Sequence, residues 1–251
     1  MKKIFIMVCF LSVVIAVVMI STLMNSKSVS ALGSYDFAEM DLIQLEEPEE
    51  GRMMAVINTS AGTIKAVLYP DYAPNTVQNF VECAKEGFYN GKSIYAVVEE
   101  AFFLTGAYNE DGTDGYTISG KHIENECDVD LWTFKGALCS YSAKAGYGDS
   151  RFFVVNNRSL TEEELSQLRG FKNKDGSQKI PEELITAFDE KGSIAHFAGC
   201  YTVFGQTIEG FDIIEKICTA EVDEQTARPV EDIVIESIEI TEYRSEEEVQ
   251  E

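Results

Sequence analysis

From Ala55 to Phe80 the apolar positions change period once, and that change predicts the first structural unit. Two apolar runs flank the small-residue turn Ser60-Ala61-Gly62, the pattern of a β-hairpin. In the second run Ile64, Ala66 and Leu68 alternate with Thr63, Lys65, Val67 and Tyr69, a period of two that fits a half-buried strand. Pro70 ends the strand because proline cannot donate to a ladder. Pro74 opens a helix where a missing N–H costs nothing, and Val77, Phe80, Val81 and Ala84 then recur at helical spacing until Gly87. Further short strands are expected over 93–98, 102–104, 133–140, 151–155, 200–208 and 232–241. In the last of these Ile233 and Ile235 change phase to Ile238 and Ile240, the mark of a β-bulge. Residues 156–199 break the run of strands. Ser159 and Glu162 fit a capping box for one helix, and Pro181 opens a second, carrying Leu184, Ile185 and Phe188 and closed by Gly192. A short helix over 211–217 completes the set. Many short strands with few helices predict a mainly β domain, a closed antiparallel barrel.

The two ends read differently. Lys2-Lys3 precede an apolar run from Ile4 to about Ile20 that continues weakly to Met24, followed by Val29-Ser30-Ala31. Residues 1–31 therefore read as a secretory signal with a small-residue cleavage site, or as an anchor touching the membrane through residues 4–24. Either way the domain is expected outside the cytoplasmic membrane, secreted or anchored. Residues 32–51 read as an acidic linker, 52–243 as the folded domain, and 244–251 as an acidic tail. The net charge of −23, with no Lys/Arg cluster, disfavours nucleic acid as a partner. Of six cysteines, Cys9 lies in the apolar run; Cys83, Cys127, Cys139, Cys200 and Cys218 remain, with no C-x-x-C spacing. Metal and redox motifs are thus not expected, and buried thiols are, with room for one disulfide. With His122 and His196 the only histidines and no G-x-S-x-G, a hydrolytic triad fits poorly; phosphate-cradling and dinucleotide fingerprints are missing too.

The wording of three stretches carries a family resemblance. Gly62-Thr63-Ile64-Lys65 with Leu68-Tyr69-Pro70, Ala73-Pro74 and Thr76-Val77-x-Asn79-Phe80 resembles the start of the cyclophilin-type peptidyl-prolyl isomerases. Tyr201-Thr202-Val203-Phe204-Gly205 with Ile208-Glu209-Gly210-Phe211-Asp212 is similar to that family's late segment, and Gly136-x-Leu138-x-Ser140 to a third. The resemblance covers about residues 53–243 and implies an eight-stranded barrel capped by two helices, monomeric, without cofactor or metal, acting on proline-containing peptides or unfolded secreted proteins. A helical insertion like 156–199 is common among bacterial relatives and need not carry a function.

The chemistry implied is rotation about an Xaa-Pro bond over a barrier of ~18–20 kcal/mol. It needs a dry proline pocket and donors that favour the twisted amide. At the family's F-H-R-V the chain reads Ile94-Tyr95-Ala96-Val97, so the catalytic arginine falls on Ala96. F-M-x-Q-G-G reads Phe102-Phe103-Leu104-Thr105-Gly106-Ala107 after a one-residue insertion, which puts Thr105 in place of a glutamine. A small pocket residue becomes Tyr141, and a second glutamine becomes Arg151, two residues before the retained Phe153. The resemblance thus implies Arg151 and Thr105 as catalytic candidates, and Phe102, Phe103, Tyr141, Phe153, His196, Phe197 and Tyr201 as a substrate-binding pocket. By themselves the phenylalanines read as core, His196 as a packing or rim residue, and Arg151 as an ion-pair partner of Asp149. Two hypotheses follow. One is a weakly active exported isomerase that assists folding of secreted proteins; the other is a non-catalytic peptide-binding module on the same scaffold.

Overall fold

A computed structural model describes residues 31–156 and 159–245. The predicted leader and most of the acidic tail lie outside the described residues. The predicted hairpin forms: β1 (Met53–Thr59) and β2 (Gly62–Leu68) pair antiparallel, Thr59 opposite Gly62. The Thr59 hydroxyl organises the two-residue turn, donating to Gly62 O at 2.7 Å and accepting from the Ala61 and Gly62 amides at 3.2 Å each. Helix α1 (Pro74–Lys85) starts on Pro74 and buries Val77, Phe80, Val81 and Ala84, the face predicted from the spacing.

The chain continues through β3 (Ala96–Val98), β4 (Phe102–Thr105), β5 (Ile123–Glu124), β6 (Ala137–Ser140), β7 (Tyr147–Gly148) and β8 (Phe152–Val155). Then come the inserted helices α2 (Glu162–Gly170) and α3 (Glu182–Lys191), strand β9 (Val203–Glu209), helix α4 (Phe211–Cys218) and β10 (Ile235–Glu242). Eight strands form one antiparallel sheet in the order β10-β1-β2-β9-β6-β8-β4-β3, while β5 and β7 pair apart from it. The sheet curls into a half-barrel. The closed barrel expected from the sequence is corrected here, because the ladder ends at β10 and β3. At that seam an isolated bridge, Ser93 to Val234, and bonds such as Gly91 N to Ile235 O (2.7 Å) join loop to strand. The bulge is found where the isoleucines change phase: Asn58 pairs with Ser237 but Thr59 with Ile235.

Burial divides along the pleat. One face of the sheet fills the half-barrel with Ile57, Ile64, Leu68, Phe103, Leu138, Phe152, Val154 and Phe204, closed by α1 and α4. The other face carries Val67, Cys139, Phe153, Val155 and Val203 and packs against residues 194–201. The insertion has its own cluster, in which Leu165, Leu168, Leu184, Ile185 and Phe188 surround Trp132 and Phe134. Residues 32–51, read as a linker, are partly a packed strap: Leu32 is fully buried in the insertion's cluster, and Tyr35 and Phe37 lie against Trp132. Gln44 is buried too, donating to Trp132 O at 2.9 Å and to Gln206 Oε1 at 2.8 Å. The capping box also moves. Thr161 caps α2, its hydroxyl accepting from the Glu164 amide, with Glu164 returning to the Thr161 amide, in place of the Ser159/Glu162 pair.

Candidate active site

The outer face of the sheet assembles the site through its registers. Ala96 pairs with Leu104, Leu104 with Phe153, Phe153 with Cys139, and Cys139 with Val203, so one row of side chains crosses five strands on one face. Phe102, two residues from Leu104, joins that face. Its ring centroid lies 5.2 Å from Phe153 and 5.8 Å from Phe197. Phe197 belongs to a single 3-10 turn, Ala195–Phe197, that lays its ring over the sheet. Tyr201 meets Phe153 at 5.1 Å and Phe197 at 5.2 Å, and Tyr141 stands 6.5 Å beyond Tyr201. Five of the seven pocket candidates thus share one aromatic patch, with Phe102, Tyr141 and Tyr201 partly exposed above the buried Phe153. Apolar rings with exposed faces suit a proline ring.

His196 lies at the rim, 5.1 Å from Phe197, with Nδ1 3.7 Å from a Glu164 carboxylate oxygen of α2. Phe103 is not part of the patch. It is 2% exposed and belongs to the half-barrel filling, opposite Val97 and Val154. Thr105 also points inward; it is fully buried and its hydroxyl donates to Ser93 O at 3.0 Å. Thus the pocket-facing neighbour of Ala96 is Leu104, which the motif comparison passed over. The alternation Phe102, Leu104 against Phe103, Thr105 was the signal that identifies it, since a register error of one residue exchanges faces.

Arg151 precedes β8 and is nearly buried, as is Asp149. The pair is bidentate: Arg151 Nε donates to Asp149 Oδ1 at 3.0 Å and Nη2 to Oδ2 at 2.6 Å. The Arg151 amide donates to Oδ1 at 2.9 Å, and Nη1 reaches Gly112 O at 3.3 Å. Burial alone would lower the guanidinium's pKa, but the hydrogen bonds and charge of Asp149 outweigh it and hold it above its ordinary value. The Tyr141 ring lies 5.3 Å from Arg151 Cζ, which links the ion pair to the aromatic patch. Tyr95 completes the cluster. Its hydroxyl is buried without a hydrogen-bond partner, and burial, with the nearby Tyr141, raises its pKa. Sequence reading gave Tyr95 no role; its place beside Ala96 in the motif was the available signal. Burial likewise raises the Tyr201 phenol. No group of three or more His, Cys, Asp or Glu able to hold a metal occurs among the described residues, and their five cysteines are unpaired.

Comparison with known proteins agrees with this geometry. The family model for "Cyclophilin type peptidyl-prolyl cis-trans isomerase/CLD" matches residues 54–240. The chain is 34% identical over 197 residues to a Staphylococcus epidermidis protein named "Putative peptidyl-prolyl cis-trans isomerase", covering 78% of this chain and 96% of that one. A protein of the same name from Staphylococcus aureus strain USA300 is 32% identical over the same shares. Among solved structures, a cyclophilin-type isomerase of Cryptosporidium parvum, crystallised in the presence of the dipeptide Ala-Pro, superimposes with a TM-score of 0.56 at 20% identity, covering 75% of this chain and 98% of that one. The half-barrel, the aromatic face and the matched length lead to one conclusion: this chain belongs to the cyclophilin-type peptidyl-prolyl cis-trans isomerase family.

Proposed function

We propose that the protein is a slow prolyl isomerase acting on proline-containing segments of exported proteins outside the cytoplasmic membrane. The observation that carries this reading is the aromatic patch of Phe102, Phe153, Phe197 and Tyr201 with Ala96 and Leu104 beside it. The patch offers a dry seat for a proline ring; the Ala96–Leu104 row offers no donor to the twisting amide. Stabilisation of the transition state then falls to Arg151, whose guanidinium uses three of its five N–H groups on Asp149 and Gly112. Thr105, turned into the half-barrel, is left out of the proposed machinery. Tyr141 stands over Arg151 and narrows the space for the residue before proline. The proposal is tested by NMR exchange or protease-coupled isomerisation on a panel of Xaa-Pro peptides. Catalysis above the uncatalysed rate supports it, and binding without catalysis replaces it with the second reading.

That second reading, a non-catalytic peptide-binding module, draws on the closure of the Arg151–Asp149 pair, which ties up the Arg151 guanidinium beside the patch. Placement outside the membrane rests on the apolar run from Ile4. Between cleavage and anchoring, the turn at Ala31 favours anchoring: Ala31 O accepts from the Ser34 amide at 2.9 Å and its hydroxyl at 2.6 Å, and Leu32 is fully buried. Cleavage after Ala31 would remove that acceptor and set a charged amino group on a buried residue.

A further inference from the structure

The insertion's own surface carries a feature that the isomerase reading leaves unused. The connection between α2 and α3 folds back on itself through a bridge between Lys172 and Gln178. It walls an open cleft of about 530 Å³ lined by Lys172, Lys174 and Lys179, with Phe171 and Gly33. Lys172 and Lys174 are exposed, Lys179 is half-exposed, and none of the three forms an ion pair among the described residues. Arg169, the nearby cation that does pair, is held by Glu182 at 2.8 Å. Asp175 also lines the cleft, and its carboxylate accepts from the Ser177 amide at 2.9 Å and hydroxyl at 2.6 Å. Three unpaired cations in one cleft stand out on a chain of net charge −23.

Gly33 bears on which anion such a cleft would meet. It lines the lysine cleft and follows Leu32, which is locked into the same insertion's cluster. The described chain therefore begins, at Ala31, close to these lysines, on the C-terminal side of the apolar run. We propose that the α2–α3 connection is a membrane-docking surface, its lysines seated on anionic phospholipid headgroups of the bilayer that holds the apolar run. This rests on the anchored reading given above. An anionic surface attracts this cleft and repels the acidic remainder, so docking fixes which side of the domain faces the bilayer.

The test uses the full-length chain with vesicles of phosphatidylcholine alone, or mixed equally with phosphatidylglycerol. Flotation reports the anchor, and amide hydrogen exchange across 171–180 reports docking. With each lysine near an anionic surface contributing about fivefold, exchange there should slow by about tenfold or more on the mixed vesicles only. The triple variant Lys172→Glu, Lys174→Glu, Lys179→Glu should lose that protection while still floating and keeping slow exchange in β2. Flotation on both vesicle types with equal exchange at 171–180 overturns docking and leaves the anchor standing. Flotation on the mixed vesicles alone, abolished by the triple variant, upholds docking and overturns the anchor. Flotation on neither overturns both. Equal protection by inorganic phosphate on neutral vesicles, or protection retained in the triple variant, overturns the assignment to lipid.

Discussion

At Ala96 the row that crosses the sheet begins with a methyl group, and the consequences for rate follow from that position. One preorganised donor to a developing charge is worth about 10²–10³ in rate. Ala96→Arg should therefore raise kcat/KM on Xaa-Pro peptides by about 10²-fold, read in the isomerisation assay. Arg151 cannot be tested by truncation to alanine alone. Its pair with Asp149 is nearly dry, and stranding the carboxylate should cost about 3–5 kcal/mol in chemical denaturation. The double variant Arg151→Gln with Asp149→Asn removes both charges at similar volume and separates chemistry from stability. If Arg151 assists rotation, the double variant is slower than wild type at unchanged substrate affinity. If it only fills space, the rate stays where it was. Tyr141→Ala should improve KM most for peptides with bulky residues before proline, and a uniform change across the panel would remove the idea that Tyr141 restricts that position.

At the scale of elements, short-range patterns located the pieces well and their boundaries less well. The capping box expected at Ser159 and Glu162 forms two residues later, at Thr161 and Glu164. Thr161 starts α2 at Glu162, and Leu165 and Leu168 are buried in the insertion's cluster. Thr161→Ala should cost about 1 kcal/mol, seen as faster amide exchange in α2 while the sheet is unchanged. Gly136, which precedes β6, has φ +84°, and an added Cβ would lie 2.7 Å from Phe211 Cε1 and 2.9 Å from Thr207 Cβ. Gly136→Ala should therefore destabilise the packing of α4 on the sheet through both strain and collision, and a melting temperature equal to that of wild type would contradict this account.

For the whole molecule, the question is how the domain is carried and which way it faces. If the protein is exported and the anchor retained, mass spectrometry finds Met1 in the membrane fraction; cleavage would give a chain starting near Leu32. The buried Leu32 and the Ala31–Ser34 turn predict the first outcome. Full-length protein recovered from the soluble cytoplasm would contradict both. The strap 32–51 ties the insertion side to the sheet, because Gln44 Nε2 donates both to Trp132 O and to Gln206 Oε1 of β9.

Ile64, Ala66 and Leu68, the helical spacing of Val77 to Ala84, and the phase change between Ile235 and Ile238 determined their elements from the sequence alone. Each is a periodic demand of one face for burial, which a chain expresses locally. The aromatic residues Phe102, Tyr141, Phe153, Phe197 and Tyr201 were likewise legible, through the wording of the motifs around them. Which face each residue of Phe102-Phe103-Leu104-Thr105 presents was decided only by the registers of β4 with β3 and β8. Motif spacing across an insertion is uncertain by one residue, and one residue is the whole difference between pocket and interior. The same holds for the strap. Residues 32–51 are polar and acidic in composition, and only the presence of Trp132 and the insertion helices gives Leu32, Tyr35 and Phe37 something to cover.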